Sequence, residues 1–222
     1  MEKIIYRENE SSLLEQNNIS IGKDSVVELG AVLYPNCVVL GSSVVKTGAI
    51  IGSNSVIESS TIETGTEIQS SFIENSFVSS NCKIGPFSHI REHSKVGENC
   101  RIGNFVEIKN SEVGDNTNIA HLTYVGDASV GKNCNLGCGV VFCNFNGESK
   151  NKITVGDNVF VGSNVNLIAP VHVENGAFIA AGSTINKNIE TDEFAIARAR
   201  QENKMGFDNP YKRRLKNKKL ID

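Results

Sequence analysis

The sequence predicts an all-β fold: a solenoid of hexapeptide repeats with one inserted loop and a short C-terminal tail. Three observations predict it. An aliphatic residue recurs at every sixth position, at Ile21, Val27, Leu33, Val39, Val45, Ile51 and Ile57. The period returns at Val78, Ile84, Ile90, Val96, Ile102 and Ile108, and again at Val155, Val161, Leu167, Val173, Ile179 and Ile185. A small residue sits four places after many of these, as at Ser25, Ala31, Cys37, Ser43, Ala49 and Ser55, then Cys82, Ser88, Ser94 and Cys100. Trp is absent and aromatic residues make up only 6% of the chain, as a narrow stack of aliphatic and small side chains requires.

The elements follow in order. Residues 1–20 carry little pattern and read as a lead-in, in which LLEQ is expected to form a short helical turn or strand covering the first coil. Residues 21–189 hold the coils. Their repeat shortens by one residue at Ile62, Ile73, Val78 and Val113, then continues through Ile119, Val125 and Val130 to Leu136. After Cys143 the polar stretch NFNGESKNK belongs to no hexad, and the period resumes at Ile153. That stretch, with its Asn-Gly pair, is expected to leave the solenoid as a loop. Such loops on rigid scaffolds commonly carry binding groups. Residues 190–222 form a tail. Its part ETDEFAIARARQENKMGF reads as strand then helix, and the basic run YKRRLKNKKL reads as solvated and partly disordered.

The net charge of −3 leaves no electrostatic footprint for nucleic acid. No apolar run is long enough to span a bilayer, and the charged N-terminus lacks a signal peptide's apolar stretch. A cytoplasmic protein is expected. Cys37, Cys82, Cys100 and Cys134 occupy the small inward position of their hexads and read as free core thiols. No CxxC pair occurs, and His89 and His93 have no third ligand at a persuasive distance, so no metal is expected.

In a solenoid, spacing becomes position. Three hexads make one coil, so residues 18 apart stack at roughly 4.8 Å. Arg91 follows Ile90 and Lys109 follows Ile108, with no shortening between them. Two cations therefore share one corner. Tyr124 directly precedes Val125, the next equivalent of Ile108, and its hydroxyl can reach the same corner. Stacked like charges repel. One reading is a bound phosphate that satisfies both cations. The other is two exposed cations fanning into solvent, each beside a carboxylate such as Glu92 or Glu107. An imidazole can take a proton from an attacking amine, so His121 is either a candidate general base or simply a packed or surface histidine.

The segment IGPFSHIREHSKVGENCRIGNFVEIKNSEVG, with HLTYVGD, CNFNG, VGDNVFVGSNVNLIAP, IAAGSTI and AIAR after it, closely resembles one acetyltransferase domain. It is that of the bifunctional bacterial enzymes that make UDP-N-acetylglucosamine. The resemblance covers essentially residues 20–200. It implies a left-handed parallel β-helix, trimers with sites between subunits, acetyl-CoA as co-substrate, and no metal in the transfer. It implies that His121 is the general base toward the sugar's amino group. Arg91 and Lys109 correspond to the sugar-phosphate ligands, and Tyr124, Asn135 and Lys150 to further substrate ligands. Cys138, Asn144, Phe145, Ser163, Ala181 and Arg198 correspond to the acetyl-CoA groove. Cys138 stands where the family has Ala, and Phe145 where it usually has Tyr. Both departures bear on CoA affinity; neither removes a catalytic group.

The function expected is N-acetyl transfer to an amino-sugar phosphate, glucosamine 1-phosphate, giving N-acetylglucosamine 1-phosphate. The alternatives are an acyltransferase for another amino sugar or sugar nucleotide, and a non-catalytic trimeric scaffold. No Gly-rich nucleotide loop precedes Ile21, so this sequence is not expected to form the UDP-sugar itself.

Overall fold

The computed structural model describes residues 4–5 and 18–218. Its strands form three sheets, visited in turn by each coil, that make the faces of a triangular prism. The first face runs from Val32–Leu33 through Ile50–Ile51 and Lys83–Ile84 to Phe194–Ala195. The second runs from Ser20–Ile21 to Thr184–Ile185, and the third from Val26–Val27 to Val171–Val173. Pairing between coils is parallel throughout the solenoid, as a left-handed β-helix of hexapeptide repeats requires.

The repeat explains this architecture. Each strand is only two to four residues long, too short to persist alone. It persists because its aliphatic residue points inward onto the equivalent residue of the next coil. Ile51, Ile68, Ile84, Ile102, Ile119, Leu136, Val161 and Ile179 form one such column in register. All are buried, and each contributes about 1.5–3 kcal/mol of transfer free energy.

The corners explain the small and amide residues between the aliphatics. Asn36, Asn54, Asn99, Asn116, Asn133 and Asn158 take positive φ, a conformation that Asn tolerates better than most residues. The inward Ser, Thr and Cys side chains fill the space at the bends and bond the backbone. Ser94 Oγ donates to Arg91 O at 2.6 Å, and Thr66 Oγ1 accepts from Cys82 N at 3.0 Å. Cys37, Cys82, Cys100 and Cys134 are buried free thiols, as their position in the repeat predicts.

The shortened corners before Ile62, Val78 and Val113 fall on one edge of the prism, between the second and third faces, whereas the one before Ile73 lies between the first and second. The interval is five residues from Ile73 to Val78 and from Ile108 to Val113, but six from Ile90 to Val96. The inserted segment leaves from the same edge between the second and third faces. Phe145 and Lys150 form an antiparallel bridge within it, while Val130 and Val155 on either side still pair in register. The insertion therefore loops out without shifting the coils that follow.

The ends differ in part from the sequence expectation. Ile4–Ile5 pairs antiparallel with Val32–Leu33, and the LLEQ stretch lies outside the described residues. In the tail, the expected strand exists: Phe194–Ala195 pairs with Phe178–Ile179. The expected helix before the basic run does not. The helix instead occupies Pro210–Asn217, inside the run read as partly disordered. Local signals outweigh charge there. Asn209 caps it by accepting from Tyr211 N and Lys212 N, Pro210 opens it, and Arg214 and Lys216 sit in its last turn. No helix among the described residues is long and apolar enough to cross a membrane.

Ile73 is fully buried in register between Ile57 and Ile90. Replacing it with Ala leaves a cavity that rigid neighbouring coils cannot close. Ile73→Ala is expected to cost about 2–5 kcal/mol, read as a lowered urea midpoint. An exposed change such as Lys23→Ala is expected to move the midpoint hardly at all.

Candidate active site

The predicted site residues gather on two edges of the prism. The first edge joins the first and second faces. Asn104 and His121 are paired in register at this bend. The register continues from Ile119 to Leu136, Val161 and Ile179. Two residues beyond each lie His121, Cys138, Ser163 and Ala181, which therefore form a single column. Backbone bonds tie its rungs: Asn164 N donates to Cys138 O, and Gly182 N to Ser163 O, both at 2.8 Å. Arg198 joins the top of the column, its Nη1 donating to Ala181 O at 2.9 Å. Asn135 lies on the adjoining first face, in register with Asn118 and Phe160.

Asn104 is a partner of His121 that the sequence reading missed. Its Oδ1 lies 2.8 Å from His121 Nδ1. An amide oxygen only accepts, so Nδ1 carries the proton and the lone pair rests on Nε2. Gly103 makes this pairing possible, because a Cβ there would lie 1.8 Å from Ala120 O. The two strands stay paired to the bend only because that position has no side chain. The signal available in the sequence was Gly103-Asn104 lying one coil below Ala120-His121.

The second edge carries the cations. Arg91 and Lys109 are in register on adjacent strands, and Gly126 is the third rung. The absence of a side chain at Gly126 leaves room for the Tyr124 ring, whose hydroxyl lies 2.3 Å from where a Cβ would stand. Tyr124 thus folds toward the cations, as its position predicts. Its hydroxyl is 3.4 Å from Asn144 Nδ2. Asn144 is buried and also donates to Asp127 Oδ2 at 2.5 Å, while Asn110 Nδ2 donates to Asp127 Oδ1 at 2.6 Å.

The cations do not fan outward, but they do pair with Glu92 and Glu107, the carboxylates that the second reading named. Lys109 is only 6% exposed. Arg91 is held by Glu107, whose Oε1 accepts from Nε at 2.8 Å and lies 2.8 Å from Nη2 in the same ion pair. The remaining terminal nitrogen, Nη1, bonds Glu92, and the other oxygen of Glu92 pairs with Lys109 Nζ at 3.1 Å. One carboxylate therefore bridges both cations. The hydrogen bond from Lys109 holds the Glu92 carboxyl below its ordinary range, helped by the charges of Arg91 and Lys150. Lys150 reaches the same corner from the inserted loop. Its contact with Lys109 pushes the Lys150 ammonium down, whereas Lys109 is held up by that contact and by Glu92 and Asp127. A polar cavity of about 400 Å³ opens beside these groups, lined by His93, Asn110, Asp127 and Lys150 among others.

One chain does not unite the two edges. His121 lies at the bend before the second face and Gly126 at the end of that face's strand Tyr124–Gly126, with Leu122 turning at positive φ between them. The groove residues implied by resemblance are divided as well. Cys138, Ser163, Ala181 and Arg198 stand with His121, whereas Asn144 and the exposed Phe145 stand with the cations.

Comparison with known proteins agrees with this geometry. Residues 72–149 match the family described as "GMPPB C-terminal domain", and residues 152–187 match "Bacterial transferase hexapeptide (six repeats)". The chain is 49% identical over 202 residues to the bifunctional protein GlmU of Clostridium novyi, covering 91% of this chain and 44% of that protein. It is 46% identical over 199 residues to GlmU of Alkaliphilus oremlandii, covering 90% of this chain and 44% of that one. The chain thus spans less than half the length of the curated relatives it matches. Among solved structures, LpxA from Acinetobacter baumannii superposes with a TM-score of 0.53 at 19% identity, covering 75% of this chain and 71% of that one. UDP-N-acetylglucosamine acyltransferase from Campylobacter jejuni superposes at 0.52 with 21% identity, covering 81% and 71%. Those two likenesses establish the shared fold. The matches to GlmU proteins and to the hexapeptide family, taken with the coil register, show that the chain is a hexapeptide-repeat transferase that belongs with the β-helical acetyltransferase portion of the GlmU proteins.

Proposed function

We propose that this chain transfers an acetyl group from acetyl-CoA to the amine of an amino-sugar phosphate, glucosamine 1-phosphate. The observation that carries the reading is the His121–Asn104 pair. It makes Nε2 the ring nitrogen that can accept a proton, at the foot of the Cys138–Ser163–Ala181 column. The similarity to GlmU proteins supports both the reaction and the acceptor.

The reaction needs a neutral amine, a nearby thioester and a proton acceptor. The sugar nitrogen attacks the thioester carbonyl carbon, forming the C–N bond. His121 Nε2 takes the proton that the nitrogen loses. The tetrahedral intermediate then collapses, the C–S bond breaks, and the sulfur leaves as the CoA thiolate, which the imidazolium can reprotonate. Holding both substrates together supplies much of the acceleration, and no covalent enzyme intermediate is required. Arg91 and Lys109 bind the phosphate, while Tyr124, Asn135 and Lys150 orient the sugar. Asn144 and Phe145 bring the inserted loop toward the reacting groups, and Cys138, Ser163, Ala181 and Arg198 line the CoA groove.

The placement of the two edges at opposite sides of the second face gives this reading a structural consequence. The base edge of one subunit must face the cation edge of another, which a cyclic trimer provides. Each site then takes His121 from one protomer and Arg91 from its neighbour.

Acetyl-CoA-dependent thiol release with glucosamine 1-phosphate tests the reaction, and a panel of other amino sugars and sugar nucleotides tests the acceptor. His121→Ala is expected to lower kcat by roughly 10²–10⁴-fold; full activity in that variant refutes the base assignment. Asn104→Ala is expected to lower kcat less, while leaving KM for acetyl-CoA in place. Mixing the inactive His121→Ala and Arg91→Ala chains by joint refolding tests the assembly. Random mixing restores roughly a quarter of the sites. Persistent inactivity in well-folded mixed trimers refutes the shared site.

A further inference from the structure

We infer that Glu92 is an internal competitor for the substrate's phosphate: its carboxylate fills the cradle of Arg91 and Lys109, and a sugar phosphate must displace it to bind. The inference rests on the acetyl-transfer reading for the identity of the substrate, but not for the occupancy of the cradle.

Three features set Glu92 apart from an ordinary ion-pair partner. The first is its position. Glu107 already orients Arg91 through Nε and Nη2, so Glu92 is not needed to hold the guanidinium. It takes Nη1, the donor left over, and reaches across to Lys109 at 3.1 Å. Its two oxygens thus bridge the two cations, the geometry in which a phosphate accepts from paired donors.

The second feature is the backbone. The rungs above and below Glu92 on this edge are Asn75, Asn110 and Asp127, all at positive φ. Those short polar side chains suit that conformation. Glu92 adopts it too, with φ 53°, and His93 follows with φ 62°. A glutamate gains nothing locally from such a backbone, and a strained residue of this kind points toward a functional role.

The third is length. This bend has one residue more than its neighbours, six from Ile90 to Val96 against five from Ile73 to Val78 and from Ile108 to Val113. The extra residue pushes the Glu92–His93 pair out of the stacked wall while keeping Arg91 and Lys109 in register. The carboxylate is nearly half exposed, so it can swing into solvent. Lys109, by contrast, is buried and stays.

The device makes binding an exchange of one anion for another. It keeps two stacked cations neutralised, and it lowers affinity for weak anions, because each must first displace the carboxylate. The test compares wild type with Glu92→Gln and with Glu92→Asn, the latter preserving the left-handed backbone if the former folds poorly. Calorimetry with inorganic phosphate and steady-state kinetics with glucosamine 1-phosphate are the readouts, and glucosamine without phosphate is the control.

Both variants are expected to bind phosphate about fivefold more tightly, the scale of a partly exposed ion pair. KM for glucosamine 1-phosphate is expected to fall by a similar factor, with kcat and the KM for glucosamine unchanged. A merely structural role for Glu92 would move both KM values together, and that result overturns the inference. Unchanged or weakened phosphate affinity in the variants also overturns it, even where all forms turn over glucosamine 1-phosphate. If the variants bind inorganic phosphate more tightly but no form acetylates glucosamine 1-phosphate, displacement stands and the acetyl-transfer reading falls.

Discussion

Everything in this molecule depends on the registered stacking of aliphatic side chains from coil to coil. Each strand is a fragment with almost no stability of its own. It acquires a position only because Ile, Leu or Val beneath it and above it fix where its inward residue must sit. Once that position is fixed, every outward residue is fixed as well. A column of equivalent positions becomes a column of functional groups.

The two functional edges are both products of that rule. Where the strands stay paired up to the bend, at Asn104 and His121, an amide falls directly beneath an imidazole and selects its tautomer. Where two basic residues follow equivalent isoleucines, at Arg91 and Lys109, the cations have no choice but to stack. Their mutual repulsion is then relieved by two carboxylates, Glu92 from the adjoining bend and Glu107 from the strand that carries Lys109. Glycine performs the complementary task, at Gly103 and Gly126, by leaving out a side chain where a neighbour must come close.

This explains which parts were legible in the sequence. The Arg91–Lys109 pairing follows from the uninterrupted run between Ile90 and Ile108, and the prism faces from the recurring period, which converts directly into geometry. The approach of Tyr124 follows for the same reason. The bridging role of Glu92 does not, because its backbone turns left-handed at a bend with an added residue, and periodicity says nothing about where a long side chain then points. The division of Asn144 from Ser163 and Ala181 was hidden as well, since resemblance groups residues by shared ligand and takes no account of which edge carries them. In the tail, composition suggested disorder in the basic run. The Asn209-Pro210 start and the favourable placement of Arg214 and Lys216 decided for a helix.

The inserted loop between Asn144 and Asn151 has a consequence for how such a protein can diversify. It leaves the wall and rejoins it with Val130 and Val155 still matched, so its length and composition are decoupled from the spacing of everything later in the chain. Additions or deletions there can reshape what the cation edge accepts. The opposite edge, with its row of Cys138, Ser163 and Ala181, would keep its pitch. Under the proposed acetyl-transfer reading, acceptor choice and donor recognition are then separable inheritances within one rod of coils.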